Sequence, residues 1–219
     1  MLTHIHSRVR YAVLTTALVG LFSAAQAATI TITTTINVAA GATYDGGGNT
    51  IKASGMGDGG QGEGQKPFFK LNAGSTVKNV ILAAPGVDGI HYYGNGTINN
   101  VTWQDVGEDA STIKSGGTCT MSSSKGSSAY DKFGQCNAAA TWTLQSVTET
   151  TCGKVIRQNG GTSYTCKFYY NTVKSDKCKE AIGRTDSSTT RFYYRSLTVT
   201  NFTGSNGWWY GRSSQASTY

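Results

Sequence analysis

Apolar and polar residues alternate in short runs along this chain, and no long stretch shows the 3.6-residue period of an amphipathic helix. Residues Thr29 to Val38 read TITITTTINV, Thr76 to Leu82 TVKNVIL, Thr97 to Trp103 TINNVTW and Thr141 to Val147 TWTLQSV. Tyr164 to Val173 and Phe192 to Val199 continue the series. Each run is rich in β-branched or aromatic residues and is bounded by glycine or asparagine, the pattern of a strand between turns. Two runs share the pattern T-[VI]-x-N-V, begin 21 residues apart at Thr76 and Thr97, and follow the glycine turns Gly74-Ser75 and Asn95-Gly96. Thr143 and Thr165 are separated by a similar 22 residues. A repeat of that length with a strand in each copy predicts a β-solenoid, in which no coil buries its own apolar face and the stack forms one core. The asparagines within the repeats suit its tight corners, because Asn tolerates the left-handed conformation. A β-sandwich would place its turns every 8–12 residues instead, and a threonine-rich solenoid with a flat, non-catalytic binding face fits the same pattern.

The first residues carry a different signal. Arg8 and Arg10 precede the apolar run Tyr11 to Phe22, and Ser23 to Ala27 supply small residues with an A-x-A pattern. That order predicts a secretory leader, residues 1–27, since a membrane span needs roughly 20 apolar residues. The expected product is one exported domain, residues 28–219: an extracellular monomer with no membrane attachment once the leader is removed. Gly numbers 28 against only 2 Pro, and charged residues make up 14% of the chain, which fits a turn-rich β protein rather than a disordered one. The net charge of +7 favours an anionic partner. For an exported protein that means an acidic polysaccharide rather than nucleic acid. Five cysteines, Cys119, Cys136, Cys152, Cys166 and Cys178, lie outside the leader without any C-x-x-C pair, which argues against a zinc knuckle and leaves their pairing open.

Carboxylates are scarce, so their placement is informative. Asp105, Glu108 and Asp109 fall within five residues, and Asp88 precedes Asp109 by 21 residues, one coil. Residues one coil apart stack at roughly the 4.8 Å strand spacing, so Asp88 and Asp109 are expected to be vertical neighbours. Carboxylates that close repel, and a hard cation with oxygen ligands relieves the conflict. Lys114, Lys132, Lys154 and Arg157 follow, with spacings of 18 and 22 between the three lysines that suggest a basic column on successive coils. His91 is the sole histidine beyond the leader. With no G-x-S-x-G motif to serve, it reads as a packed, hydrogen-bonded side chain near the acidic group.

Along the chain, in order, stand Tyr44-Asp45-Gly46-Gly47-Gly48, Glu63-Gly64-Gln65-Lys66-Pro67, Asp88-Gly89-Ile90-His91 and Asp105-Val106-Gly107-Glu108-Asp109-Ala110. Ala129-Tyr130-Asp131-Lys132, Gly153-Lys154-Val155-Ile156-Arg157-Gln158-Asn159-Gly160-Gly161 and Arg184-Thr185-Asp186 follow. Taken together, these segments resemble the compact pectate lyases of polysaccharide lyase family 3. The segment Phe133-Gly134-Gln135-Cys136 departs from the family pattern. The resemblance implies an all-β, right-handed, single-stranded parallel β-helix of about eight coils, and calcium-dependent β-elimination of polygalacturonate, the de-esterified backbone of pectin, to 4,5-unsaturated oligogalacturonides. By position it assigns Glu63, Asp88, Glu108 and Asp109 to calcium, and Lys114, Lys132, Lys154 and Arg157 to the anionic substrate. Lys132 is the expected proton acceptor, with Arg157 second and Lys154 beside them. Crowding by neighbouring cations is expected to lower the Lys132 pKa and to give an alkaline optimum. The competing reading is a β-helical wall-binding protein without turnover.

Overall fold

The computed structural model describes residues 27–219; the leader lies outside them except for Ala27. The first coil holds β1 (Thr29–Ile32), β2 (Ile36–Val38) and β3 (Thr43–Asp45). The next strands are β4 (Thr50–Ala53), β5 (Phe69–Asn72), β6 (Ser75–Leu82), β7 (Ile90–Tyr93) and β8 (Gly96–Trp103). The middle of the stack is β9 (Gly107–Ser115), β10 (Gly117–Ser122), β11 (Lys125–Cys136) and the long β12 (Ala140–Gln158). It ends with β13 (Lys167–Asp176), β14 (Ala181–Arg184), β15 (Arg191–Thr200) and β16 (Ala216–Thr218). Among the described residues every pairing is parallel and joins residues a coil apart, so they form the expected parallel β-helix of about eight turns. Among the described residues no helix is long and apolar enough to cross a membrane.

The strands form three flanks, and the corners explain the sequence pattern. In β6, Ser75 and Val77 point inward on one flank, whereas Val80 and Leu82 point inward on the next. The phase changes at Asn79, whose φ of 54° turns the chain through the corner. β8 repeats this with Ile98, Val101 and Trp103 around Asn100 at φ 52°. The matched pair Thr76 and Thr97 are direct partners. Asn100 Nδ2 donates to Asn79 Oδ1 at 2.9 Å, and Asn79 Nδ2 to Asp45 Oδ1 at 3.0 Å, so the corner amides form a ladder. Ser123, Ser146, Thr172 and Ser196 also adopt positive φ. Asn100→Val places a β-branched residue in the left-handed region and removes a ladder rung. A loss of about 2 kcal/mol is expected, measured as a lower urea midpoint at unchanged slope.

Several expectations are corrected by the register. The run Thr29 to Val38 breaks at Thr33–Thr35 into β1 and β2, with Thr35 Oγ1 donating to the Pro67 carbonyl across the bend. Thr143 pairs with Tyr169 rather than Thr165, because later coils are longer. The five cysteines are all buried thiols. Cys136 and Cys166 Sγ lie 3.6 Å apart and Cys152 and Cys178 Sγ 3.2 Å apart, with Cys119 separate from both.

Inward residues stack into columns of like side chains, as in Val77, Ile98, Met121 and Leu144. Burying each large apolar side chain contributes roughly 1.5–3 kcal/mol. One column breaks the rule: Leu82, Trp103 and Gly126 are followed by Glu149 and Ser175. Glu149 is fully buried; its Oε2 accepts the Ser175 hydroxyl at 2.7 Å and its Oε1 has no partner. Burial is the main cause that pushes its pKa up to about 7. A carboxyl raised on folding favours the folded state while protonated, so this contribution is lost as pH rises from the unfolded value near 4.5 through about 7. Glu149→Gln is expected to flatten the fall of unfolding free energy across that window, by about 3 kcal/mol, and to be more stable than the parent at alkaline pH. Parallel pH-dependent denaturation curves would sink this account.

Candidate active site

One flank is built from β2, β5, β7, β9, the second half of β11, the end of β12 and β14. On β9, Ala110 and Ile113 enter the core while Asp109, Thr112 and Lys114 line an outer cleft of about 160 Å³. Glu63 reaches that cleft from the glycine-rich segment between β4 and β5, and Asp88 from the turn before β7. Glu108, Lys132, Gln135, Asn137 and Asn159 complete its walls. The four carboxylates expected to act together therefore meet at one place. Ile90 pairs with Ser111, the 21-residue offset that also relates Asp88 to Asp109. Asp105 does not line the cleft.

Four carboxylates, Glu63, Asp88, Glu108 and Asp109, share the cleft with two ammonium groups, Lys114 and Lys132. Burial is the first cause raising Glu108 to about 7, followed by repulsion from Asp88 and Glu63, against the pull of Lys132 and Lys114. Asp109 also rises to about 7, first by burial, with Lys132 opposing and Glu108, Asp131 and Asp88 adding to the rise. Its buried Oδ1 has no hydrogen-bond partner, and its Oδ2 accepts only a long 3.4 Å bond from Thr112 Oγ1. Asp88 Oδ2 lies 3.0 Å from His91 Nε2, a contact without hydrogen-bond alignment. His91 is buried, as expected of a packed side chain, but its Nε2 has no hydrogen-bond partner, against the expectation of a hydrogen-bonded ring. Among the described residues no three side chains are drawn together into a closed metal cluster; the carboxylates ring the cleft instead.

The basic residues are arranged less simply than their spacing implied. Lys132 pairs directly with Lys154, as the 22-residue step predicts, but its partner on the other side is Asp109 rather than Lys114. The separation of 18 is shorter than the local coil, so Lys114 lies further along the same cleft. Arg157 sits beyond Gln135 on β12, its Nη2 donating to Asp186 Oδ2 at 2.9 Å and its buried Nη1 without a partner. Lys154 and Arg157 flank the cleft on the next coil rather than lining it. The expected lowering of the Lys132 pKa is not found. Burial acts in that direction, but Asp109 and Asp131 outweigh it and raise the value. The nearest charges are carboxylates, not cations: Lys132 Nζ is 3.5 Å from Asp109 Oδ1 and is paired with Asp131.

Sequence reasoning missed Asp131, Glu180 and Asp186 as members of this network. Asp131 Oδ1 lies 2.6 Å from Lys154 Nζ, and Glu180 Oε2 lies 2.7 Å from the same nitrogen while pairing Arg184. Asp186 is held below the usual carboxylate range by the Gly161 N–H and then by Arg157. The adjacency of Asp131 and Lys132 was visible, but nothing local distinguishes it from a solvated pair.

Fold and cleft together define a parallel β-helix protein with carboxylates and ammonium groups facing each other along one flank. The chain belongs to the pectate lyase family, whose family model, described as Pectate lyase, matches residues 21–207. It is similar to probable pectate lyase E of Neosartorya fischeri, 36% identical over 148 residues, which are 65% of this chain and 56% of that protein. Pectate lyase E of Emericella nidulans is 34% identical over the same shares. The chain thus spans a little over half the length of these curated relatives. Among solved structures, the catalytic domain of pectate lyase PelI from Erwinia chrysanthemi superimposes with a TM-score of 0.58 at 26% identity, covering 80% of this chain and 78% of that one. PelI in complex with tetragalacturonic acid shares the fold, with a TM-score of 0.53 at 22% identity over 88% of this chain and 70% of that one.

Proposed function

We propose that this cleft cleaves α-1,4-linked polygalacturonate by calcium-dependent β-elimination, outside the cell and as a monomer. The observation that carries the reading is the meeting of Glu63, Asp88, Glu108 and Asp109 with Lys114 and Lys132 in one cleft. Membership of the pectate lyase family supports it. Calcium fits the donors: all are hard carboxylate oxygens, and the buried Oδ1 of Asp109 accepts no hydrogen bond, with Lys132 Nζ no nearer than 3.5 Å. Glu63, Asp88, Glu108 and Asp109 would hold the ion. When bound, calcium supplies Lewis-acid charge that acidifies the proton on C5 of a galacturonate whose carboxylate it meets.

The chain's own residues do the rest. Lys132, held at the Asp109 edge of the cleft, accepts the C5 proton in its neutral form, and Arg157 is the second choice for that role. Lys114 attracts the substrate's carboxylates within the cleft. Lys154 and the partnerless Nη1 of Arg157 offer donors to the negative charge that develops as the C5–H bond breaks. The electron pair of the broken C5–H bond becomes the 4,5-double bond as the C4–O bond breaks, and the departing glycosidic oxygen takes a proton from water. Because Lys132 must lose a proton that its carboxylate neighbours hold, activity is expected to rise toward alkaline pH.

One assay separates the reading from its rivals. Polygalacturonate is mixed with the protein, and ultraviolet absorbance of the unsaturated product is followed with and without chelator. Chelator-sensitive growth is the expected result. New reducing ends without absorbance would mean a hydrolase using paired carboxylates, and binding without either would mean a wall-binding protein.

A further inference from the structure

Strand β11 carries one residue more than either strand beside it. Ala129 pairs with Gly107 and Cys152, while Lys132 pairs with Asp109 and Lys154. Tyr130 and Asp131 therefore oppose a single residue on each side, Glu108 and Gly153. This is a β-bulge, an insertion that breaks the ladder locally and re-aims the side chains it carries. The neighbouring coil is shaped to receive it: a Cβ on Gly153 would stand 2.4 Å from the Asp131 carbonyl oxygen. The bulge turns Tyr130 out into solvent and sets the Asp131 carboxylate between two ammonium groups, one oxygen on Lys132 and the other 2.6 Å from Lys154.

A carboxylate is an unexpected occupant of that place. It competes with an anionic substrate for both cations, so its presence has to be explained by what it does to them. Lys132 and Lys154 are register partners on adjacent strands, and two ammonium groups at that separation repel. Each also carries rotamer entropy that a single contact does not quench. We propose that Asp131 is a positioning residue: it holds the two ammonium groups on separate oxygens and fixes Lys132 Nζ at the Asp109 edge of the cleft. The bulge is the device that delivers it, since a regular strand would set one residue, not two, opposite Glu108 and Gly153. The inference rests on the reading of Lys132 as proton acceptor.

The test compares Asp131→Asn and Asp131→Glu with the parent and with Lys132→Ala, all measured for kcat and KM on polygalacturonate and for thermal midpoint. Asp131→Asn is expected to lower kcat roughly 10- to 100-fold, the scale of a misplaced reacting group. Its KM is expected to stay within about threefold or to fall, because Lys132 and Lys154 each lose one carboxylate that competes with the polyanion, while Asp109 and Glu180 remain beside them. Asp131→Glu, which keeps the charge, is expected to recover part of kcat. A general structural defect would not lower kcat while preserving or improving KM. Asp131→Ser serves as a second variant should the asparagine protein fail to fold. The inference is overturned by a kcat within about threefold of the parent, or by a KM that rises in step with the loss of kcat. Lys132→Ala separates the two levels. Turnover surviving in that variant sinks the base assignment itself, whereas an inactive Lys132→Ala beside a fully active Asp131→Asn sinks only the positioning role.

Discussion

Lys132→Ala is expected to lower β-elimination of polygalacturonate by roughly 10³-fold, within the range attributed to one general base, while the variant still binds the polymer. Among the described residues, Lys132 is the one ammonium that both lines the cleft and touches the carboxylate group, 3.5 Å from Asp109 Oδ1. Its side chain is only 13% exposed, so solvent is poorly placed to replace it. Affinity is expected to persist because Lys114, Lys154 and Arg157 remain. The replacement also removes the cation that opposes the rise of the Asp109 pKa. Carboxylate repulsion in the metal-free variant should therefore grow, and calcium should restore more thermal stability to it than to the parent. Initial rates and equilibrium binding on one preparation decide the matter. Turnover near the parental rate removes Lys132 from the base role and moves attention to Arg157.

Calcium is expected to raise the thermal midpoint of the parent, and Asp109→Asn combined with Glu108→Gln is expected to abolish that rise. The physical ground is independent of catalysis. Burial and mutual repulsion hold Glu108 and Asp109 up at about 7, so at neutral pH the metal-free cleft carries charge at a cost. An ion that binds only the folded chain stabilises it by about 2.7 kcal/mol at a hundredfold excess over its Kd. For a domain of this size that is a rise of roughly 5–10 °C. Magnesium should do less, since it demands rigid octahedral geometry and sheds water reluctantly. The opposite pattern, equal shifts in parent and double variant, would place the ion elsewhere and detach it from the proposed chemistry.

The reading of the fold succeeded where the chain repeats closely. Thr76 and Thr97 mark the same point on successive coils because nothing is inserted between them, and Asn79 and Asn100 occupy the same corner. Alternation was visible there because one side of each strand meets the core and the other meets solvent. Beyond β2, the flank that bears the cleft was not read as strands. In β9 all of Gly107 to Ile113 are buried, some against the core and some against the cleft, so polar residues occupy sheltered positions and the alternation disappears.

The same contrast governs the site. Asp88 and Asp109 were placed together by their 21-residue spacing, and Lys132 beside Lys154 by 22, because these steps equal the local coil. Lys114 and Lys132 were not one coil apart, and the charges that surround Lys132 proved to be carboxylates. The amino-acid sequence alone determined the stacked-coil architecture, the corner residues Asn79 and Asn100 and the carboxylates that share the cleft, since period and residue type are local properties. Only the tertiary structure decided that β11 bulges at Tyr130 and Asp131, that Asp131 holds Lys132 and Lys154, and that Asp186 takes Arg157. Those contacts depend on how many residues each coil inserts relative to its neighbours, and that offset exists only once the coils are stacked.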